Sequence, residues 1–180
     1  MTRRALAQEE LEARALELSR QVALDAAPRG EQESLLVLRL GAEAYGIRAS
    51  SVQEVVAKPA IAPLPLVPRL VAGVMNLRGE LVAVLDLAEV FGPAAPSTRR
   101  FAVVARHDDL VAAVLADEVQ DVERFAADSR EPVLATVAGE VSGFFSGVFR
   151  AGDRLVSAID LAKVFAHPEL LKLRKAPEAS

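Results

Sequence analysis

Cysteine is absent from all 180 residues. That excludes disulfides, thiolate nucleophiles and cysteine-based zinc sites, leaves packing as the source of stability, and fits a reducing compartment. Tryptophan is absent too, and the formal net charge is −4. A nucleic-acid surface wants clustered Lys/Arg and stacking aromatics, so neither nucleic acid nor phosphate is the expected ligand. Only two histidines occur, His107 beside Asp108-Asp109 and His167 before Pro168. Neither has the neighbours that a metal site or a Ser-His-Asp arrangement needs, and no Gly-x-Ser-x-Gly turn or phosphate-binding glycine loop is present. Gly139, Gly143 and Gly147 recur every four residues, but the charge and proline around them favour loop and strand over a membrane dimer motif. Long apolar runs are also missing. Leu6 to Leu24 is broken by Glu9, Glu10, Glu12, Arg14, Glu17 and Arg20, which fits neither a secretory signal nor a membrane span of roughly 18 residues. The expectation is a cytoplasmic protein without catalysis, cofactor, metal or direct membrane insertion.

What is present is a chain that is 52% hydrophobic and long enough to bury a real core. Leu11, Ala15, Leu18 and Val22 form one apolar stripe on an otherwise charged helix, with Glu10 and Arg14 spaced to pair, and Pro28 and Gly30 close it. This leader helix, assigned with its linker to residues 1–30, either packs on the domain or offers its stripe to a partner. From Leu35 the period changes. Leu35-Leu36-Val37-Leu38, the turn at Gly41-Ala42-Glu43, and Tyr45-Gly46-Ile47 predict a hairpin. Pro59, Pro63, Pro65 and Pro68 make an ordered connector, in which Ile61, Leu64, Leu66 and Val67 are expected to pack; a proline-rich ligand motif is the alternative. Val71 to Phe91 then predicts strand, turn, strand and a short helix capped by Asp86. Gly79 stands where the turn needs positive φ.

The chain then repeats itself. Gly73, Val74, Leu81, Val82, Asp86, Leu87, Ala88, Val90 and Phe91 recur 74 residues later as Gly147, Val148, Leu155, Val156, Asp160, Leu161, Ala162, Val164 and Phe165. Upstream, Val52-Gln53-Glu54-Val55 recurs 67 residues later as Val119-Gln120-Asp121-Val122, with Val37, Arg39 and Ala49 matching Val104, Arg106 and Ala116. The expected fold is mainly β: two small five-stranded β-barrels related by internal duplication, with the N-terminal amphipathic helix and short additional helices. The repeat units run over about 33–95 and 100–167 within a domain of 31–167, followed by a tail or short helix at 168–180. Each copy forms its own barrel or the two exchange strands. Duplication also separates fold from function, because residues shared by both copies are most simply structural. Asp86 and Asp160 therefore read as helix caps. The copy-specific feature is the turn, Asn76-Leu77-Arg78-Gly79 against Arg150-Ala151-Gly152-Asp153. A plain polar turn is the competing reading.

Val52-Gln53-Glu54-Val55, the proline-rich connector, and the run from Gly73 through Asn76-Leu77-Arg78-Gly79 to Asp86-Leu87 together resemble the CheW domain of bacterial chemotaxis, over about residues 33–167. The resemblance implies an adaptor that joins chemoreceptor cytoplasmic tips to a CheA-type histidine kinase, with further CheW-like domains as ring partners, recruited to membrane-associated receptor arrays. It implies partner-coupling roles for Glu54 and Arg78, which lie close together in the family. Gly73, Asn76 and Gly79 match positions that shape the turn around Leu77, and Val52 and Val55 match apolar positions near the binding surfaces. A CheW-like scaffold in a related motility or developmental pathway is the alternative. The chain departs from the family at Ala83, where a proline is common, and at Ala113, where a glycine is.

Overall fold

Apolar residues in alternating or continuous runs set the strands. In the computed structural model, which describes residues 3–25, 32–91, 98–133 and 139–174, the first copy contributes β1 (Gln32–Leu40), β2 (Glu43–Arg48), β3 (Val52–Ala57), β4 (Val71–Leu77) and β5 (Glu80–Leu85). The second contributes β6 (Phe101–His107), β7 (Leu110–Ala116), β8 (Glu118–Ala126), β9 (Phe145–Ala151) and β10 (Arg154–Ile159). The helices are α1 (Arg3–Asp25), α2 (Ala88–Phe91), α3 (Leu161–Phe165) and α4 (Pro168–Arg174). Strands β4 and β9, aligned by the 74-residue offset, bury the same positions in the same order. The linker with Pro28 and Gly30, and residues 175–180 of the expected tail, lie outside the described residues.

The copies exchange strands. One sheet has the order β8-β1-β2-β10-β9, the other β3-β6-β7-β5-β4. Each copy gives its first two strands to one sheet and its last three to the other, and replacing every strand by its counterpart converts one order into the other. A parallel pair in each sheet joins the copies, β2 with β10 and β7 with β5.

The sheets are open, which corrects the expected barrels. Closure would require ladders between β3 and β4 and between β8 and β9, and neither pair is hydrogen-bonded. The connector ahead of β4 takes the place of that ladder. It is rich in prolines, which lack an N–H, and it meets β4 through one bridge between Ala62 and Val74, with hydrogen bonds of 2.8 and 2.9 Å. The second copy repeats the device with Glu131 and Val148, again at 2.8 and 2.9 Å. A sheet edge can be blunted by a covering segment without closing. Within the connector Ile61 and Val67 pack against the core, while Leu64 and Leu66 are exposed, contrary to the expectation that all four pack.

The main core lies between the sheets. The apolar run of β1 divides by pleat, Leu36 and Leu38 joining the inter-sheet cluster and Leu35 and Val37 a smaller cluster with Phe125, Phe149 and Val156. Its counterpart β6 does the same, with Phe101, Val103 and Ala105 on one side and Ala102 and Val104 on the other. Two-sided burial explains why these strands read as continuous hydrophobic runs.

Asp160 caps α3 as expected, accepting a hydrogen bond from the Lys163 amide at 3.3 Å. Asp86 does more. Its carboxylate accepts from the Ala88 amide at 3.2 Å and from Arg99 Nε, and it is buried. Losing an exposed cap costs about 1 kcal/mol, whereas deleting one member of a buried ion pair costs about 3 kcal/mol or more. Asp86→Ala is therefore expected to depress the melting temperature well beyond Asp160→Ala in parallel thermal melts.

Candidate functional site

Strand β4 ends at Leu77 and β5 starts at Glu80, so the hairpin turns on Arg78 and Gly79 alone. Both have positive φ, 55° and 94°, the signature of a tight turn matched to strand twist. Glycine at 79 adopts this freely. Arginine at 78 does so at a cost of roughly 1–2 kcal/mol. The Asn76 Oδ1 accepts a hydrogen bond from the Gly79 amide at 2.9 Å, which fixes the turn from within. Leu77 is half-buried against the cluster of Met75, Val82 and Val84 and anchors the base of the loop.

The turn leans toward β3, at the opposite edge of the same sheet. Arg78 Nη2 reaches Glu54 Oε2 at 3.1 Å, with the guanidinium side chain 81% exposed and the carboxylate side chain 23%. Two residues 24 positions apart are thus brought together at the surface, one fixed on a strand and the other projecting beyond it. In the second copy the turn is Gly152-Asp153, with positive φ at Gly152 (60°) and no arginine at either position.

Three other expected site residues have different surroundings. Gly73 lies at φ 145°, and a Cβ there would sit 2.2 Å from the Ala62 carbonyl oxygen. Its role is the close approach of connector to strand, and Gly147 repeats that role at φ 157°. Val52 and Val55 are buried, on the strand against which α1 packs. Leu81, which the sequence reading passed over, stands opposite Asn76 in the hairpin ladder and is exposed. Strict alternation along Leu81-Val82-Ala83-Val84 is the signal that marks it as outward-facing.

The chemistry on offer is recognition. An exposed guanidinium, a partly covered carboxylate and an adjacent exposed leucine make a small mixed patch with hydrogen-bond donors and apolar area. None of the eight expected site residues lines the cavity of about 760 Å³ on the other sheet, which is walled by Arg39, Glu43, Tyr45, Phe91, Phe145 and Arg154 among others. In that cavity burial, together with its bond to Glu43, holds the Tyr45 hydroxyl neutral far above the usual tyrosine range. Among the described residues no cluster of His, Cys, Asp or Glu could hold a metal ion, and no helix is long and apolar enough to cross a membrane.

Residues 34–169 match the CheW-like domain family. The chain belongs to that family. The CheW-like chain is 29% identical over 155 residues to the chemotaxis protein CheW of Treponema pallidum, covering 79% of this chain and 88% of the relative. It is 36% identical over 117 residues to protein FrzA of Myxococcus xanthus, covering 62% and 71%. Among solved structures, the scaffolding protein TtCheW from Thermoanaerobacter tengcongensis superposes with a TM-score of 0.65 at 26% identity, covering 75% of this chain and 87% of that one. As a CheW-like protein the chain is a non-catalytic adaptor in chemotaxis-type signal transduction.

Proposed function

We propose that this CheW-like chain couples chemoreceptor cytoplasmic tips to a CheA-type histidine kinase, and that Glu54 and Arg78 carry the contact. The observation behind this reading is the exposed Glu54–Arg78 pair on a turn that the second copy does not reproduce. An exposed ion pair contributes only about 0–1 kcal/mol to folding, so stability is a poor reason to hold an arginine at positive φ. Presenting a guanidinium to an acidic or carbonyl-rich partner surface is a better one. Asn76 and Gly79 hold the turn, Leu77 anchors it, and Gly73 seats the connector behind it. Val52 and Val55, on the same strand as Glu54 and beneath α1, are the apolar part of this surface. The working unit is the domain at 31–167, with 1–30 as leader and 168–180 as a C-terminal segment that opens with α4. Further CheW-like domains complete a ring in the cytoplasm beneath membrane receptor arrays, where avidity multiplies modest contacts.

The test is calorimetric titration of the full chain with a kinase regulatory domain and with a receptor hairpin fragment. Saturable binding to both supports the proposal, and binding to neither overturns it. A second reading is the same kind of scaffold in a related motility or developmental pathway. Titration against the receptor and kinase of each pathway separates the two.

A further inference from the structure

Helix α1 packs against β3 and β8, and these two strands are counterparts in the duplication. The helix thus lies across the local two-fold relationship of the copies, in the groove between an edge of one sheet and the equivalent edge of the other. It sits there asymmetrically. Toward β3 it supplies Ser19, whose Oγ accepts the Val55 amide at 3.0 Å, a donor that the edge strand would otherwise leave unpaired. Toward β8 it supplies Arg14, which pairs with Asp121 at 2.7 Å and with the Gln120 carbonyl at 3.1 Å. Asp121 is the second-copy counterpart of Glu54. Where Glu54 meets an arginine from its own copy's turn, Asp121 meets one from the leader, while Arg154 of the second copy's hairpin reaches Gln120 and Glu123 beside it.

The attachment is short. Among the described side chains of this 23-residue helix only Ala15, Leu18 and Val22 are buried, while Leu16 faces solvent and the Arg14–Asp121 pair is exposed on both sides. The strands beneath keep their ladders without it, β3 to β6 and β8 to β1, with the Val55 amide the donor that α1 satisfies. Beneath α1 lies an apolar strip that includes Val52 and Val55, continuous with the inter-sheet core and on the same two strands as Glu54 and Asp121.

We propose that α1 is a displaceable in-chain occupant of this groove, and that an amphipathic helix of the coupling partner takes its place, bringing its own basic side chain to Asp121 and its own apolar stripe to Val52 and Val55. This rests on the coupling reading, and it adds a closed state in which Val52 and Val55 are hidden. The partner then meets an affinity reduced by the fraction of chains that are open.

The experiment compares full-length Leu18→Asp, Arg14→Glu and Arg78→Glu with the parent, using a soluble chemoreceptor hairpin fragment as probe and thermal melts to establish folding. If about a tenth of the parent is open, Leu18→Asp binds the fragment roughly tenfold more tightly and Arg14→Glu a few-fold more tightly. In the parent, amide exchange at Val55 and along α1 changes when the fragment binds. Equal or weaker binding by folded Leu18→Asp and Arg14→Glu overturns the proposal. So does a bound complex in which α1 keeps its protection. If Leu18→Asp does not fold, Arg14→Glu, which leaves the buried stripe untouched, decides alone. Arg78→Glu keeps the two readings apart: weakened binding in that variant with no gain in the helix variants sinks this proposal and leaves the coupling role standing, whereas a gain in the helix variants with Arg78→Glu unaffected supports this proposal and removes Arg78 from the contact. A fragment that binds none of the four proteins overturns both.

Discussion

Arg78→Glu is expected to lower affinity for the kinase and receptor fragments by at least about tenfold, roughly 1.4 kcal/mol, with the melting temperature nearly unchanged. The loss follows from placing two carboxylates, Glu54 and the new glutamate, where one was neutralised by a guanidinium 3.1 Å away. Arginine is also the side chain with the widest donor fork, and hot spots favour it. The small stability effect follows from exposure: solvent screens the pair, and repulsion in the variant is relieved by rotation of a side chain that is already outside. Arg78→Gly sharpens the contrast. Glycine accepts φ 55° freely, so this variant is expected to melt at least as high as the parent and still lose binding, as measured by paired melts and titrations. A position that gains stability and loses affinity on the same substitution is held for recognition. Equal affinity of all three proteins would remove Arg78 from the interface.

Gly73→Ala is expected to be the most destabilising single methyl group in the molecule, at about 3 kcal/mol or more. A Cβ at this position would lie 2.2 Å from the Ala62 carbonyl oxygen and 2.9 Å from its carbon, both backbone atoms, at φ 145°. Relief requires the connector to leave β4, which breaks the two Ala62–Val74 hydrogen bonds and uncovers the sheet edge. Gly147→Ala makes an informative partner. There the first obstacle is Arg130 Cγ at 2.5 Å, part of a flexible side chain, and the nearest backbone atom is the Glu131 oxygen at 2.9 Å. The second substitution should therefore cost distinctly less. Denaturant titration of both variants checks the ranking; equal costs would mean that the bridge at Ala62 contributes no more than its copy at Glu131.

The strands, the duplication, the turn and the closeness of Glu54 to Arg78 could be read from residues, because period, repeat offset and family pattern are each carried by the chain itself. Closure could not. An open and a closed five-stranded sheet differ only in whether two edges share a ladder, and that is decided by a connector whose prolines withhold donors. Strand exchange was equally hidden, since nothing local in Ala44 announces that its neighbour is Val156. The same limit explains the leader. Its stripe was visible, yet Arg14 looked like the partner of Glu10 four residues away and instead reaches Asp121, a hundred positions on. Val52 and Val55 looked available for contact because no pattern in β3 shows that a helix lies over it.

The exchange of strands also sets an order of events during synthesis. Strands β1 and β2 emerge early and pair with each other, but the parallel neighbour of β2 is β10, about 110 residues later, and the other antiparallel neighbour of β1 is β8. At roughly 5–20 residues per second, β2 waits on the order of 5–20 seconds for its second partner, with Tyr45 and Ile47 not yet packed into the finished core. The second sheet is delayed in the same way, because β3 and β5 each wait for a strand of the later copy. A nascent chain stopped between the copies is therefore two unmatched sheet fragments, and the adaptor becomes available only as whole molecules.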